Sequence, residues 1–153
     1  DPSNKDEKFL RVRIRKYRKY MEKEGLDTNK ILKTLNNLLS ANKAINFYKN
    51  KALYKHVSFL SKNKCLIDEK IFTDEAGEII FKSFSDTLSL VSGTYYPPRS
   101  KKILNLMNRL KKAKFNKSTL GGCIIEKRNG AILISKEPKV RKVPLSSIKY
   151  SNF

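Results

Sequence analysis

The sequence predicts an α+β chain, mainly α: a bundle-like helical domain that ends in a β-hairpin. Two observations predict it. Apolar side chains recur at steps of three and four through several segments, the spacing that lines one face of a helix. Near the C-terminus the pattern changes to short β-rich runs, Gly122 to Lys127 and Ala131 to Ser135, separated by Asn129-Gly130. Asn-Gly between β-branched runs is a hairpin signal, because both turn residues must accept positive φ.

The elements follow in order. Asp1-Pro2-Ser3-Asn4 is turn chemistry, since Asp and Asn side chains bond nearby amides and Pro sets φ. A helix is expected from near Asp6, with acids in its first turn, and Gly25 suits its end. Arg11 and Arg15 stand one turn apart on it, a spacing that can grip phosphate or carboxylate oxygens and that equally describes a solvated basic face. Asp27 or Thr28 caps a long segment running to Val57, in which Ile31, Leu35, Leu38, Leu39, Ile45, Tyr48 and Ala52 repeat at helical steps. It reads as a core helix, with Lys33, Lys43, Lys49, Lys51 and Lys55 on the positive surface. The apolar pairs between Phe59 and Phe72 predict one or two short strands. Thr73-Asp74-Glu75 offers a cap for a helix over Glu78 to Val91, with Ile79, Ile80, Phe84, Leu88 and Val91 inward and Ser92-Gly93 as its stop.

Pro97 and Pro98 cannot continue a helix but suit the residues before one, so the next helix is expected from Arg99 or Ser100. Ile103, Leu106, Met107, Leu110 and Ala113 form its apolar stripe; Lys102, Asn105, Arg109 and Lys112 form a positive one. The Gly121-Gly122 pair leads into a strand and reads as a bulge or tight turn. After the hairpin, Lys139, Arg141, Lys142 and Lys149 make a basic tail or the start of a further element.

Charge narrows the function classes. The 153 residues carry 34 Lys+Arg against 14 Asp+Glu, a formal charge of +20, with 39% hydrophobic content, enough for a core. Between Asp86 and Glu126 there are eight Lys and Arg and no acid. Self-repulsion at such a charge opposes compactness, so a polyanion is expected as the partner, nucleic acid before an anionic membrane. No run of eighteen apolar residues and no charged-then-apolar leader occurs, and a soluble, cytoplasmic protein without membrane partner is expected. Cys65 and Cys123 match no metal-ligand spacing and read as reduced core residues. The single histidine, His56, reads as a packing residue; no metal or Ser-His-Asp constellation assembles around it.

Several of these pieces together resemble one family. The DPSN turn followed by FLRVRIR, the Gly-x-x-Tyr-Pro-Pro-Arg run from Gly93 to Arg99, and TLGGCII at Thr119 to Ile125 ending in Lys136-Glu137 resemble bacterial tRNA(Ile)-lysidine synthase. The resemblance implies residues 1–25 as the end of an ATPase domain with a connecting helix. It implies 26–137 as a helical tRNA-binding domain with its hairpin at 119–136, and 138–153 as a tail or truncated element. It implies an ATP- and Mg2+-dependent ligase that adenylates C2 of the wobble cytidine of tRNA(Ile) bearing a CAU anticodon, then joins lysine there. The family's Ser-Gly-Gly-x-Asp-Ser phosphate loop does not occur in this sequence, so the chain looks like a C-terminal fragment. It is expected to bind tRNA without turnover and to bind no cofactor itself. On this reading Arg11 and Arg15 approach nucleotide phosphates, while Arg99, Lys102, Arg109, Lys112, Lys117 and Arg128 dock tRNA; no catalytic residue is assigned. A stand-alone basic RNA- or DNA-binding module and an interaction domain for an acidic protein are the alternatives.

Overall fold

The computed structural model describes residues 7–112 and 114–138. The Asp1-Asn4 turn, the helix start near Asp6, Ala113 in the apolar stripe and the cations of the tail lie outside them. The described chain is α+β and mainly α, in the order α1 (Leu10–Lys23), α2 (Thr28–His56), β1 (Val57–Ser61), β2 (Lys64–Asp68), α3 (Ile71–Asp74), α4 (Gly77–Ser92), α5 (Ser100–Leu110), β3 (Lys117–Leu120), β4 (Cys123–Arg128), β5 (Ala131–Lys136). It divides into two compact units, at Asn46 and Phe47.

In the first unit, Gly25 ends α1 as expected. At φ +86 it turns the chain so that its own N–H reaches Glu22 O and the Leu26 N–H reaches Met21 O, the paired bonds of a Schellman stop. Asp27, not Thr28, caps α2: its Oδ1 accepts the Lys30 N–H at 2.8 Å. The apolar stripe that reads as a core helix is buried only at its C-terminal end, at Ala52. Ile31, Leu35, Leu38 and Leu39 are 44 to 61% exposed, and Ala52 and His56 alone are buried on α2. Helical spacing decides which side chains share a face; whether another element covers that face is a tertiary fact the period does not contain.

The second unit is built on a five-stranded antiparallel sheet of order β1-β2-β5-β4-β3. The expected hairpin is its central pair: Asn129 (φ 45) and Gly130 (φ 81) close β4 onto β5 with Arg128 opposite Ala131. The sheet is larger than that hairpin. Gly121 and Gly122, both at positive φ, make a second tight turn that adds β3, and β1–β2 form a hairpin before α3. Cys65, Ile67, Cys123, Ile125, Ile132 and Ile134 alternate onto one face and form a core with Ile80, Phe84, Leu88 and Val91 of α4 and the apolar stripe of α5. Thr73-Asp74-Glu75 does not cap α4. Thr73 and Asp74 belong to α3, and Ala76 precedes α4 without a side-chain cap. Gly93, at φ 72, ends α4, its N–H bonded to Ser89 O at 2.9 Å.

Candidate nucleic-acid interface

Helix α5 begins where the prolines release the chain, after Arg99 in extended conformation, and its two faces separate cleanly. Ile103, Leu106, Met107 and Leu110 are 5% exposed or less, while Lys101, Lys102, Asn105, Asn108, Arg109 and Lys112 are exposed. The buried stripe fixes the rotation of the helix, and the rotation presents the cations. Between α5 and β3 lies an open groove of about 310 Å³ lined by Lys102, Asn105, Leu106, Arg109, Ser118, Thr119 and Leu120. Arg109 is held over it: Nη1 donates to Ser118 Oγ at 3.1 Å, and the guanidinium lies 5.4 Å from the centre of the Phe115 ring. One of its five N–H groups is thereby used, leaving the rest for an anion.

The sequence-predicted cations separate into groups. Among the described residues Arg99, Lys102, Arg109 and Lys112 have no carboxylate partner. Lys117 and Arg128 share Glu126, at 3.1 and 2.6 Å, and these two cations, Arg128 foremost, hold its carboxyl below the ordinary range. Lys49 and Lys55 are drawn to Asp86 and Asp74, each at 2.6 Å, so they add less to the positive surface than a count suggests. Arg11 and Arg15 are exposed one turn apart on α1, in the other unit, with Arg11 5.4 Å over the Phe9 ring.

The remaining candidates for chemistry are structural. Cys65 and Cys123 are buried and unpaired, and burial pushes the Cys65 thiol up to about 12. His56 is buried, its Nε2 3.5 Å from Glu75 and 3.8 Å from Asp74. Among the described residues no group of His, Cys, Asp and Glu is placed to hold a metal, and no helix is long and apolar enough to cross a membrane. Tyr95 and Tyr96, the second of them the tyrosine of the Gly93–Arg99 run, are 89 and 77% exposed just before Arg99, and the sequence pattern gave neither a binding role. The available signal was two adjacent aromatics immediately before a Pro-Pro.

Fold and surface define a mainly helical α+β chain that presents a cationic helix face beside the edge strand of an antiparallel sheet. No family model matches the chain. In sequence it is similar to a tRNA(Ile)-lysidine synthase of Ruegeria pomeroyi, 24% identical over 139 residues, which is 91% of this chain and 32% of that protein. The chain thus spans about a third of the length of the curated relative it matches.

Proposed function

We propose that this chain is the tRNA-docking portion of an ATP-dependent ligase of the tRNA(Ile)-lysidine synthase kind, whose reaction converts the wobble cytidine of tRNA(Ile) to lysidine with lysine as the amine. The observation that carries this reading is the α5 face with its groove, where Lys102, Arg109 and Lys112 stand exposed without carboxylate partners among the described residues. Cations so placed hold phosphates and thereby fix register and orientation rather than sequence. The distant similarity to a tRNA(Ile)-lysidine synthase supports tRNA as the polyanion.

ATP and Mg2+ belong to that reaction, and the Gly121-Gly122 turn does not fit an ATP phosphate loop. Gly121-Gly122 is a hairpin turn, and the space over Gly121 is filled by Pro98, whose Cγ would lie 2.5 Å from an added Cβ. The resemblance would bring Arg11 and Arg15 near nucleotide phosphates, and their exposure one turn apart on α1 is compatible with that role. The chain by itself binds tRNA without turnover.

Fluorescence anisotropy of labelled tRNA across a salt series tests the reading. The affinity is expected to fall with salt by about 0.7 to 0.9 log units per log unit for each phosphate neutralised. Lys102→Ala with Arg109→Ala should shrink that slope by about one for each cation lost. An affinity that barely moves between low and physiological salt refutes docking through phosphates; equal affinity for duplex DNA favours the stand-alone nucleic-acid module.

A further inference from the structure

The approach to α5 carries a feature that phosphate docking does not use. Tyr95 and Tyr96 project from the segment between α4 and α5 at 89 and 77% exposure, their rings edge to face with centroids 4.8 Å apart. Exposed single aromatics are ordinary, and Tyr54 at 93% is one. This pair differs in how firmly its backbone is held and in what flanks it.

The segment is fixed at both ends. On the α4 side, Gly93 adopts φ 72, the Thr94 N–H reaches Ser89 O at 3.2 Å, and Thr94 Oγ1 lies 2.8 Å from Ser92 Oγ. The Thr94 hydroxyl also donates to Tyr96 O at 3.3 Å. On the α5 side, Pro97 restricts Tyr96 to extended backbone, and Pro98 sits against the glycine turn between β3 and β4, so closely that a Cβ on Gly121 would lie 2.5 Å from its Cγ. Rings carried on such a backbone lose little conformational entropy when a ligand arrives.

The surroundings suit a nucleic acid. Arg99, Lys101 and Lys102 follow within a few residues and are exposed. Beside Tyr95 lies a hollow of about 560 Å³ lined with Asp86, Ser89, Leu90, Gly93 and Thr94. Its one carboxylate, Asp86, is already engaged by Lys49 Nζ at 2.6 Å, which offsets its repulsion of a phosphate. Ser89 Oγ is buried without a hydrogen-bond partner among the described residues. Stacking an unpaired base uses a flat π-face and a cation for the neighbouring phosphate, and the hollow leaves open space beside the ring.

We infer that Tyr95 and Tyr96 form a stacking site for unpaired nucleobases of the docked RNA, with Arg99 and Lys102 holding the adjoining phosphates. This rests on the docking role proposed above, and its test separates the two. Binding of a single-stranded oligouridylate, a CAU-anticodon tRNA transcript and a blunt RNA duplex is measured by anisotropy for three double variants: Tyr95→Leu/Tyr96→Leu, Tyr95→Phe/Tyr96→Phe, and Lys102→Ala/Arg109→Ala. Tyr54→Leu is the control for an exposed tyrosine elsewhere.

The leucine pair should weaken oligouridylate binding about five- to 150-fold for each base stacked, and leave duplex affinity and the salt slope unchanged. The phenylalanine pair and Tyr54→Leu should bind as the parent does. Because the chain has no tryptophan, Tyr96→Trp adds a single reporter whose emission should be quenched by the oligonucleotide. If the leucine pair binds oligouridylate like the parent, or weakens duplex and single strand equally, stacking is overturned. Docking still stands in that case if Lys102→Ala/Arg109→Ala flattens the salt dependence; if neither pair changes any affinity, both readings fall.

Discussion

Leu110 and Leu35 both lie on helical apolar stripes, yet the structure gives them opposite surroundings, and truncating each to alanine separates a covered face from an uncovered one. Leu110 is 1% exposed in the core formed by α4, α5 and the sheet. Leu110→Ala removes its buried methyl groups and leaves a cavity between elements that are pinned by the sheet register, so about 2 to 5 kcal/mol is expected. Leu35 is 49% exposed. About half of its burial energy, roughly 1 kcal/mol, is the most that Leu35→Ala can remove, with no cavity to add. Lys112→Ala, at an exposed site, should stay within about half a kcal/mol. Urea denaturation followed by circular dichroism reads the midpoints; at a slope of about 1 to 3 kcal/mol per molar, Leu110→Ala lowers the midpoint by about a molar or more. Amide exchange in β4 and β5 reads the unit that holds Leu110, and exchange over residues 28–46 reads the one that holds Leu35. Equal losses from the two leucines would show that Leu35 is covered as fully as Leu110 and refute the contrast between the two faces.

Three further outcomes follow from single contacts. Gly121→Ala should destabilise more than Gly130→Ala: both sit at positive φ, which costs alanine about 1 to 2 kcal/mol, but only Gly121 meets Pro98, whereas nothing lies within 4 Å of a Cβ at Gly130; equal melting shifts would deny the Pro98 contact. Cys65 and Cys123 should react with a thiol reagent at neutral pH only as fast as the chain opens, since burial raises both thiols and pushes Cys65 to about 12; rapid labelling in native buffer would contradict their core placement. Glu126→Gln should tighten RNA binding severalfold in anisotropy by releasing Lys117 and Arg128, and an unchanged affinity would exclude both from the interface. The Glu126 carboxyl is lowered in the folded chain, so the stability its pairs add is present above the ordinary carboxylate pKa and is lost as pH falls through the lowered value; the glutamine variant should have a flatter acid limb in melting temperature.

The parts of this fold that were legible in the sequence are those decided within a few residues. Pro97-Pro98 can only precede α5, a period of three to four can only put Ile103, Leu106, Met107 and Leu110 on one side, and Asn129-Gly130 can only turn tightly. What was illegible depends on partners distant in the chain. The stripe of α2 has the same period as that of α5 but is exposed from Ile31 to Leu39, and the pairing of β1–β2 with the late hairpin joins residues that no local pattern links, such as Cys65 with Ile134. The charged surface divides along the same line. Net charge belongs to the whole chain, but the availability of a cation belongs to its neighbours: Lys49 meets Asp86 from 37 residues away, and one carboxylate, Glu126, holds both Lys117 and Arg128. Lys102, Arg109 and Lys112 have no carboxylate partner among the described residues: α5 itself holds no acid and its buried stripe turns them away from the core, whereas Lys117, in the same acid-free stretch, meets Glu126 across the β3–β4 pair. The absence of acids between Asp86 and Glu126 therefore says more about a binding face than the overall excess of +20 only when joined to the fold, which leaves the α5 cations accessible and brings Lys117 back to Glu126.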